Sequence, residues 1–488
     1  PGKQRSSGGI TTDNTSAEYH NAILSISESP VDSTVIWVGT DDGNLQVTRN
    51  GGESWTNVVE NVPNVPDHTW IPDVDASNHQ AGTAYVVFDR HRQDDFTPRV
   101  YRTDDYGETW TDITANLNGP NYPHVIKDDP ENPQVLYLGT ELGAFVSFNR
   151  GQTWVSLQRD LPPVAVRDIA VHPRENDMIL ATHGSGFQVM EDITPLQNMR
   201  QAREEGVYLF DPPTGTRFEP WNDYIGTAQG EYVAENPPYG AVISYYLSPG
   251  QNENVRLEIL NGDGEVIREL DAEDEPGVNR MYWDFRKDPY HEVQAESIWW
   301  EPVRSPKVLP GEYTVRLAAG DQQMTQPLTV DLDPRLDEVT EEDLQAQHDA
   351  VDRLARMAAR GDRAMERLNS AIESLSARHQ AANGALKEEV GAVKSQFAAY
   401  KDSLEADPGG YRSPAQLQDK VEDLLREIDS ATEAPTQPQL RWIDRFSEDM
   451  EAFLSDINAA VNEDLAELNQ QLQRQGLDSI ELDQGGGE

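Results

Sequence analysis

The stretch Thr103-Asp104-Asp105-Tyr106-Gly107-Glu108-Thr109-Trp110 decides how the first half of this chain is interpreted. Its spacing of hydroxyl, acid, glycine and tryptophan recurs at residues 48–55 and 147–154. In each copy an Asp or Asn can accept hydrogen bonds from backbone N–H groups, a glycine can adopt positive φ, and a tryptophan begins the next strand. Each copy therefore predicts a β-hairpin turn between two short strands.

The repeated motif is interpreted as structural rather than catalytic. Two of its three copies carry Asn in place of the acid, and a catalytic carboxylate does not tolerate that exchange. The positions assigned to the turn are Asn50, Gly52, Trp55, Asp105, Gly107, Trp110, Asn149, Gly151 and Trp154.

From Ala22 onward the sequence divides into four units, each of which opens with two strand-forming runs. The opening runs are 22–28, 70–76, 123–127 and 166–171, and the second runs are 35–39, 83–88, 135–139 and 178–182. A repeat of about 44 to 55 residues is typical of the four-stranded blades of a β-propeller. The fourth unit lacks the turn motif, and residues 207–210 are expected to supply its last strand.

The rest of the chain predicts two further domains, so the fold class is multidomain and mainly β plus α. Residues 1–211 are assigned to four propeller blades, 212–239 to a linker, 240–335 to a β-sandwich, 340–475 to an antiparallel helical bundle and 476–488 to a flexible tail. The hairpin signal at residues 261–264 supports the sandwich. A period of 3.6 from Thr340 supports a bundle of three helical arms, the middle one broken at Pro408.

Composition excludes several classes of function. Acidic residues outnumber basic ones 86 to 39, which gives a formal net charge of −47, and only 8 of the basic residues are lysines. This balance disfavours nucleic acid as a partner and suggests a halophilic source, with a calcium-rich exterior as the alternative. Cysteine is absent, which removes disulfides and thiolate chemistry. No apolar run reaches the ~20 residues of a transmembrane helix.

The turn motif resembles the Asp-box of sialidases and of sortilin-type (vacuolar sorting receptor-like) propellers. The runs 83–96, 136–141, 181–184 and 192–196 are similar to bacterial sortilin-type proteins with Asp-box (BNR) repeats, which are often labelled glycosyl hydrolases. The resemblance implies peptide binding within the propeller. The predicted sandwich in turn resembles immunoglobulin-like accessory modules of bacterial surface proteins. Ser185 stands where the family pattern leads us to expect Arg.

Candidate site residues come mainly from one dense ionisable loop. Its acid and histidine candidates for catalysis are Asp89, Asp94, Asp95 and His91. The candidates for ligand binding are Arg90, Arg92, His183, Trp299 and Trp300. A salt-bridged structural loop explains the first group equally well. The sequence predicts no cofactor and no metal site.

Two functions from different classes remain open at this point. The first is a non-catalytic, extracytoplasmic binding or assembly protein that binds peptide or glycan in its propeller and docks in a cell-surface complex. The second is a sialidase-like glycoside hydrolase with its site in the propeller funnel. We expect a second polypeptide, such as the N-terminal part of the same precursor, to complete the propeller, with a homodimer as the alternative. No nucleic acid partner and no direct membrane span are expected.

Overall fold

The computed structural model describes residues 21–157, 161–218, 238–251, 253–291, 305–405 and 414–480. The chain forms two compact units. The first comprises residues 1–211, 244–251 and 275–279, and the second comprises 212–243, 252–274 and 280–488. Most of the expected linker, the break at Pro408 and most of the expected tail lie outside the described residues.

The first unit contains four antiparallel sheets in succession. Sheet 1 consists of β1 (Ile23–Glu28), β2 (Ile36–Thr40), β3 (Leu45–Thr48) and β4 (Thr56–Asn57). Sheet 2 consists of β5 (Trp70–Ala76), β6 (Ala84–Arg90), β7 (Asp95–Thr103) and β8 (Thr111–Asp112). Sheet 3 consists of β9 (Pro123–Asp128), β10 (Leu136–Thr140), β11 (Gly143–Ser147) and β12 (Val155–Ser156), and sheet 4 of β13 (Ala165–Val171), β14 (Met178–His183) and β15 (Phe187–Met190).

Each pair of successive sheets encloses its own apolar core. Trp37 of sheet 1 packs with Phe88 and Trp110 of sheet 2, and Val87 of sheet 2 belongs to a separate core shared with sheet 3. A third core joins sheets 3 and 4. Because side chains alternate between the two faces of a strand, a strand between two cores is apolar on both faces, as the buried run 84–88 of β6 illustrates.

The predicted turn forms in all three copies. Asp105 accepts hydrogen bonds from the backbone N–H of Thr109 at 2.8 Å and from the Thr103 hydroxyl at 2.8 Å. Asn50 and Asn149 accept the corresponding backbone N–H bonds at 3.0 and 2.9 Å. The acceptor oxygen is therefore what the turn requires, and a negative charge is not.

The prediction that residues 207–210 complete sheet 4 is wrong. Two helices, α1 (Thr194–Gln197) and α2 (Met199–Glu205), follow β15, and β16 (Val207–Leu209) then pairs antiparallel with Tyr245–Leu247. Gly206, at φ 83°, ends α2 and turns the chain into β16. Sheet 4 therefore has three strands among the described residues.

The later strands form two sheets. They are β17 (Gly215–Arg217), β18 (Ala241–Leu247), β19 (Arg256–Leu260), β20 (Val266–Leu270), β21 (Gly277–Trp283), β22 (Gly311–Ala319) and β23 (Gln322–Leu332). One sheet has the order β16-β18-β21 and the other β17-β23-β22-β19-β20. The pair β17 and β23 is parallel, and the predicted hairpin at 261–264 connects β19 with β20.

The helices of the second unit pack around one apolar core. They are α3 (Glu341–Ala381), α4 (Gly384–Leu404), α5 (Leu417–Asp429), α6 (Gln437–Ala460) and α7 (Ala466–Arg474). A capping box between Thr340 and Asp343 starts α3, as the sequence predicts. The last helix is not continuous, because a π-helical turn over Val461–Leu465 separates α6 from α7. Within the described part of the chain, no helix combines the length and apolarity needed to cross a membrane.

Candidate functional site

One edge of sheets 2, 3 and 4 gathers ionisable and aromatic side chains. The end of β6 lies at this edge, as do the start of β9, the end of β10 and the start of β13, because first and second strands are antiparallel. We call these side chains the edge cluster: Asp89, His91, Tyr122, His124, Glu141 and Arg167.

Asp89 and His91 form the part of the edge cluster contributed by sheet 2. Asp89 is buried at the end of β6. His91 Nδ1 lies 2.7 and 2.8 Å from the two carboxylate oxygens of Asp89, and the backbone N–H of His91 also donates to Asp89 at 2.9 Å. Asp89 therefore fixes the orientation of the His91 imidazole, and both of its carboxylate oxygens are engaged by that ring.

Aromatic rings connect sheet 2 with sheet 3. The His91 ring stacks on Tyr122, with centroids 4.9 Å apart and planes 20° apart. Tyr122 in turn meets His124 edge-on at 5.1 Å and the exposed ring of Phe96 at 5.9 Å. Both imidazoles are thus held by a buried tyrosine ring.

Hydrogen bonds connect sheet 3 with sheet 4 and define the protonation of His124. Arg167 Nη1 lies 3.1 Å from His124 Nδ1, and a guanidinium can only donate. The ring proton therefore sits on Nε2, which donates to Glu141 Oε2 at 2.9 Å. Arg167 Nη2 donates to the same oxygen of Glu141 at 3.2 Å. Neutral His124 therefore bridges the Glu141 carboxylate and the Arg167 guanidinium.

Burial and charge agree with this assignment. Burial lowers the pKa of His124, and the Arg167 charge adds to that effect against the opposing influence of Glu141. Partial burial acts to raise the pKa of Glu141, but hydrogen bonds from His124 and Tyr122 and the charge of Arg167 together lower it. Burial also raises the pKa of Tyr122 to about 12. Near neutral pH, Glu141 is a carboxylate and Tyr122 keeps its proton.

The two arginines of the predicted loop already have partners. Arg90 Nη1 donates to the carbonyl oxygen of Asp67 at 3.1 Å. The Arg92 guanidinium lies 4.0 Å from the ring centroid of Trp70, a cation–π contact. Arg92 is exposed and keeps hydrogen-bonding capacity for a ligand, whereas Arg90 serves the loop itself.

The two neighbouring acids differ in their surroundings. The side chain of Asp94 is exposed, and its backbone adopts the left-handed conformation with φ 57°. Asp95 accepts a 2.6 Å hydrogen bond from Arg99. Partial burial opposes ionisation of Asp95, but hydrogen bonds from Arg99 and Thr97 lower its pKa to about 2. Asp95 cannot serve as a general acid near neutral pH.

Neither His183 nor the turn-motif positions belong to the edge cluster. His183 lies exposed at the end of β14, opposite Ala165. Trp299 and Trp300 lie outside the described residues. The nine turn-motif positions lie in the hairpins that precede β4, β8 and β12, with the structural hydrogen bonds described above.

An open groove of about 590 Å³ lies beside the predicted loop. Its lining residues are Asp94, Asp95, Phe96, Thr97, Pro98, Thr114, Leu117, Asn118 and Gly119. Within the described ranges, no group of three or more His, Asp or Glu side chains is placed to hold a metal ion. Phe96 lines the groove and contacts Tyr122 of the edge cluster, so that groove and cluster together offer a surface of mixed polarity.

Sequence reasoning missed four members of the edge cluster: Tyr122, His124, Glu141 and Arg167. A usable signal existed for Glu141, because Gly139-Thr140-Glu141 repeats Gly39-Thr40-Asp41 at the end of a second strand. In sheet 1, however, the acid accepts backbone N–H bonds from Asn21 and Ala22, at 2.7 and 2.8 Å. The motif alone therefore does not separate a structural acid from a site acid.

Comparisons with known proteins give one match to a protein family. The family model described as "Sortilin, neurotensin receptor 3" matches residues 98–203, which is less than half of the chain. The matched segment contains most of sheet 2 after β6, all of sheet 3 and the described strands of sheet 4. A comparison with curated proteins gives no match.

Three similar solved structures share 12 to 17% sequence identity with this chain. YCF48 from Cyanidioschyzon merolae is 17% identical with a TM-score of 0.27, covering 36% of this chain and 54% of that one. YCF48 bound to D1 peptide is 13% identical with a TM-score of 0.27, and the match covers 63% of this chain and 82% of that one. An ancestral GH74 enzyme is 12% identical with a TM-score of 0.28, and the match covers 64% of this chain and 41% of that one. With TM-scores below 0.5, these similarities carry no argument about function. Over residues 98–203 the chain is similar to sortilin, and its successive antiparallel sheets have a propeller-like arrangement.

Proposed function

We propose that this chain is a non-catalytic binding and assembly protein whose first unit binds a peptide segment of a partner at the edge cluster. The observation that carries the proposal is the ionised pair Arg167 and Glu141, bridged by neutral His124 and half exposed. A pair held in this way offers a fixed cation and a fixed acceptor without proton transfer. Such a surface suits the charged and amide groups of a peptide.

A peptide fits the edge cluster better than a glycan does. Sugars bind by stacking on open aromatic faces, but one face of Tyr122 is covered by His91 and Trp70 lies under the Arg92 guanidinium. Two exposed apolar side chains lie nearby: Phe96 contacts Tyr122, and Leu142 follows Glu141 in the sequence. An apolar anchor beside polar partners is typical of peptide-binding surfaces.

The test is a selection of binders from a displayed library of random peptides, followed by measurement of Kd. Arg167→Ala should weaken the selected peptides by roughly 10- to 100-fold, because a charge-assisted hydrogen bond contributes about 1.5–3 kcal/mol. His124→Ala should weaken them as well, because it frees both charged side chains from their bridge.

The matched control is Arg174→Ala. Arg174 is an exposed arginine in the turn between β13 and β14, with Glu175 as its ion-pair partner. This variant should bind the selected peptides as the unchanged chain does. Equal loss in both arginine variants would mean that only general charge matters, and the proposal would fail.

A glycoside hydrolase is the second candidate, favoured by the groove that Asp94 and Asp95 line. A panel of aryl glycosides and sialosides tests it. Turnover that Asp89→Ala or Asp95→Ala abolishes would establish the hydrolase and overturn the binding proposal. The low pKa of Asp95 and the engagement of both Asp89 oxygens by His91 argue against a general acid at either position.

For the second unit we propose a docking role. Its strands would form an immunoglobulin-like module and its helices a bundle that attach the chain to a larger cell-surface complex. The exposed indole of Trp442 lies in a groove between α5 and α6, with its ring centroid 5.4 Å from that of Phe446. An exposed indole of this kind supports a contact with another protein. An extracytoplasmic location completes the proposal, and the net charge of −47 supports a halophilic prokaryotic source. Trp442→Ala should release the chain from that complex without lowering its melting temperature.

A further inference from the structure

We propose that His91 is the residue of the edge cluster that selects the ligand, and that its Nε2 accepts a hydrogen bond from an O–H or N–H group of a ligand side chain. The inference rests on the peptide-binding function proposed above and names the chemistry that this site recognises. It follows from the tautomers of the two imidazoles of the cluster, from the atoms that each leaves open, and from the aromatic rings beside them.

The buried carboxylate of Asp89 sets the tautomer of His91. Its two oxygens lie 2.7 and 2.8 Å from His91 Nδ1, and the backbone N–H of His91 donates to one of them at 2.9 Å. A carboxylate can only accept hydrogen bonds, so Nδ1 carries the ring proton. The neutral imidazole therefore has its available lone pair on Nε2.

The Nε2 atom of His91 is open to a ligand. Among the residues that the structure describes, none donates a hydrogen bond to it, and it does not belong to the buried polar atoms that lack a partner. The side chain is 30% exposed, although Asp89 covers Nδ1 and Tyr122 covers one face of the ring. The exposed part of the imidazole is therefore the opposite face and the edge that carries Nε2.

His124 has the opposite tautomer and keeps no open nitrogen. Its Nε2 donates to Glu141, and its Nδ1 accepts a hydrogen bond from Arg167. Its side chain is 4% exposed. Both of its nitrogens are thus used within the protein, and His124 holds the charged pair in place. His91 differs because one of its two nitrogens is left for a ligand.

The other charged groups of the cluster do not duplicate this acceptor. The Arg167 guanidinium can only donate hydrogen bonds. Glu141 is an acceptor, but one of its oxygens already accepts from both His124 and Arg167, and Tyr122 also hydrogen-bonds this carboxylate. Within the described part of the chain, Nε2 of His91 is therefore an acceptor of the cluster that no protein donor occupies.

Aromatic rings next to His91 indicate the kind of side chain that donates. Tyr122 stacks on His91 and also contacts Phe96, whose side chain is 46% exposed. A ligand side chain with an apolar body and a donor at its tip can pack on Phe96 and direct the donor toward His91. Tyrosine, tryptophan and threonine have this form. A site that hydrogen-bonds such a donor discriminates against the analogue that lacks it.

The tautomer of His91 can be measured without any ligand. Long-range ¹H–¹⁵N correlation spectra of the full chain, labelled with ¹⁵N-histidine, are recorded at about pH 8.5, where histidine side chains are ordinarily neutral. His91→Phe identifies the His91 signals. We expect the proton of His91 on Nδ1 and, as an internal control, the proton of His124 on Nε2. A proton on Nε2 of His91 would overturn the proposal.

Recognition is tested with the tightest peptide from the displayed library. Each side chain with an O–H or N–H donor is replaced in turn by its nearest analogue without that donor, such as tyrosine by phenylalanine or threonine by valine. One replacement should weaken binding to the unchanged chain by roughly 2- to 13-fold, the loss of one neutral hydrogen bond. The same replacement should not weaken binding to His91→Phe, which keeps a ring on Tyr122 but has no ring nitrogen.

Asp89→Asn separates the role of the tautomer from a merely structural role of Asp89. The Asn oxygen keeps the backbone N–H of His91, so its NH₂ group faces Nδ1 and moves the ring proton to Nε2. The preference for the donor-bearing peptide over its analogue should then be lost. A structural role alone would weaken both peptides equally and would overturn the proposal. The matched control is Asp32→Asn, the same exchange in the turn between β1 and β2, and it should keep the preference.

Failure of this inference can be distinguished from failure of the proposed function. Peptides that depend on Arg167 but bind His91→Phe and Asp89→Asn with an unchanged preference would leave the proposed function standing and overturn the inference. A library that yields no peptide would overturn the proposed function, and the selection of a ligand by His91 with it.

Discussion

The Asp75 carboxylate accepts a hydrogen bond from the backbone N–H of Asp128 at 2.8 Å and thereby joins the first strands of sheets 2 and 3. Lys127 Nζ lies 3.2 Å from the other oxygen of Asp75. Two residues earlier on the same strands, Asp73 accepts the backbone N–H of Ile126 at 3.1 Å. Side-chain acceptors thus satisfy backbone donors that no neighbouring strand of the same sheet reaches.

This junction predicts a pH dependence of stability. Burial raises the pKa of Asp75 from 3.8 to about 6 against the opposing charge of Lys127. The folded chain then holds this proton more tightly than the unfolded chain, so the free energy of unfolding falls as pH rises from about 4 to about 6. The loss is at most about 3 kcal/mol. Asp75→Asn keeps an acceptor oxygen and should remove this part of the decline, as measured by urea unfolding at several pH values.

Asp32→Asn is the control for that experiment. The Thr34 hydroxyl and backbone N–H hydrogen-bond Asp32 and lower its pKa, so its contribution has the opposite sign and is lost as pH falls. An Asp75→Asn variant whose unfolding free energy declines between pH 4 and 6 as steeply as that of the unchanged chain would contradict the assignment. Burial raises the pKa of Asp128 to about 6 as well, and some decline should remain in Asp75→Asn.

Trp110→Ala should destabilise the first unit far more than Asp105→Asn does. Truncating a buried tryptophan costs about 3–5 kcal/mol. Asparagine already fills the equivalent positions 50 and 149 with the same hydrogen bond, so Asp105→Asn should change stability by roughly 0.5 kcal/mol or less. Urea unfolding monitored by circular dichroism measures both. A large loss of ligand binding in stable Asp105→Asn protein would instead show that the turn is a binding site.

Arg286→Met should destabilise the second unit by about 3–5 kcal/mol, because it leaves a buried carboxylate without its principal partner. Arg286 forms two hydrogen bonds with Asp429 at 2.6 and 3.1 Å, and Lys307 lies farther away at 3.9 Å. The double variant Arg286→Met/Asp429→Leu should recover much of the loss. If the double variant is as unstable as the single one, the lost packing of the arginine and not its charge is responsible.

Salt should stabilise the chain. With a net charge of −47, the folded protein repels itself, and molar salt shortens the screening distance from roughly 10 Å at 0.1 M to roughly 3 Å. The melting temperature should therefore rise from low to molar sodium chloride. A flat melting temperature over that range would remove the argument for a halophilic source.

Local pattern was sufficient for the strands of sheets 1 to 4 and for most helices. Alternation and turn chemistry act over a few residues, so the hairpin around Asp105 and the cap at Thr340 could be predicted from neighbours in the sequence. Local pattern was insufficient for Val207–Leu209, whose strand-forming residues are the same whether they pair with β15 or with β18. Strand pairing is decided by long-range contacts.

The sequence by itself determined the repeated turn, the period of the strands, the helical second half and the acidic surface, because each depends on residue type and near spacing. Only the tertiary structure decided that Tyr122, His124, Glu141 and Arg167 join His91 in one cluster. These residues belong to three sheets and lie up to 76 positions apart in the sequence. It alone also separated Trp55 from Trp110 and Trp154. The three tryptophans share one motif, but among the described residues Trp110 and Trp154 are buried against the preceding sheet, whereas Trp55 is 43% exposed.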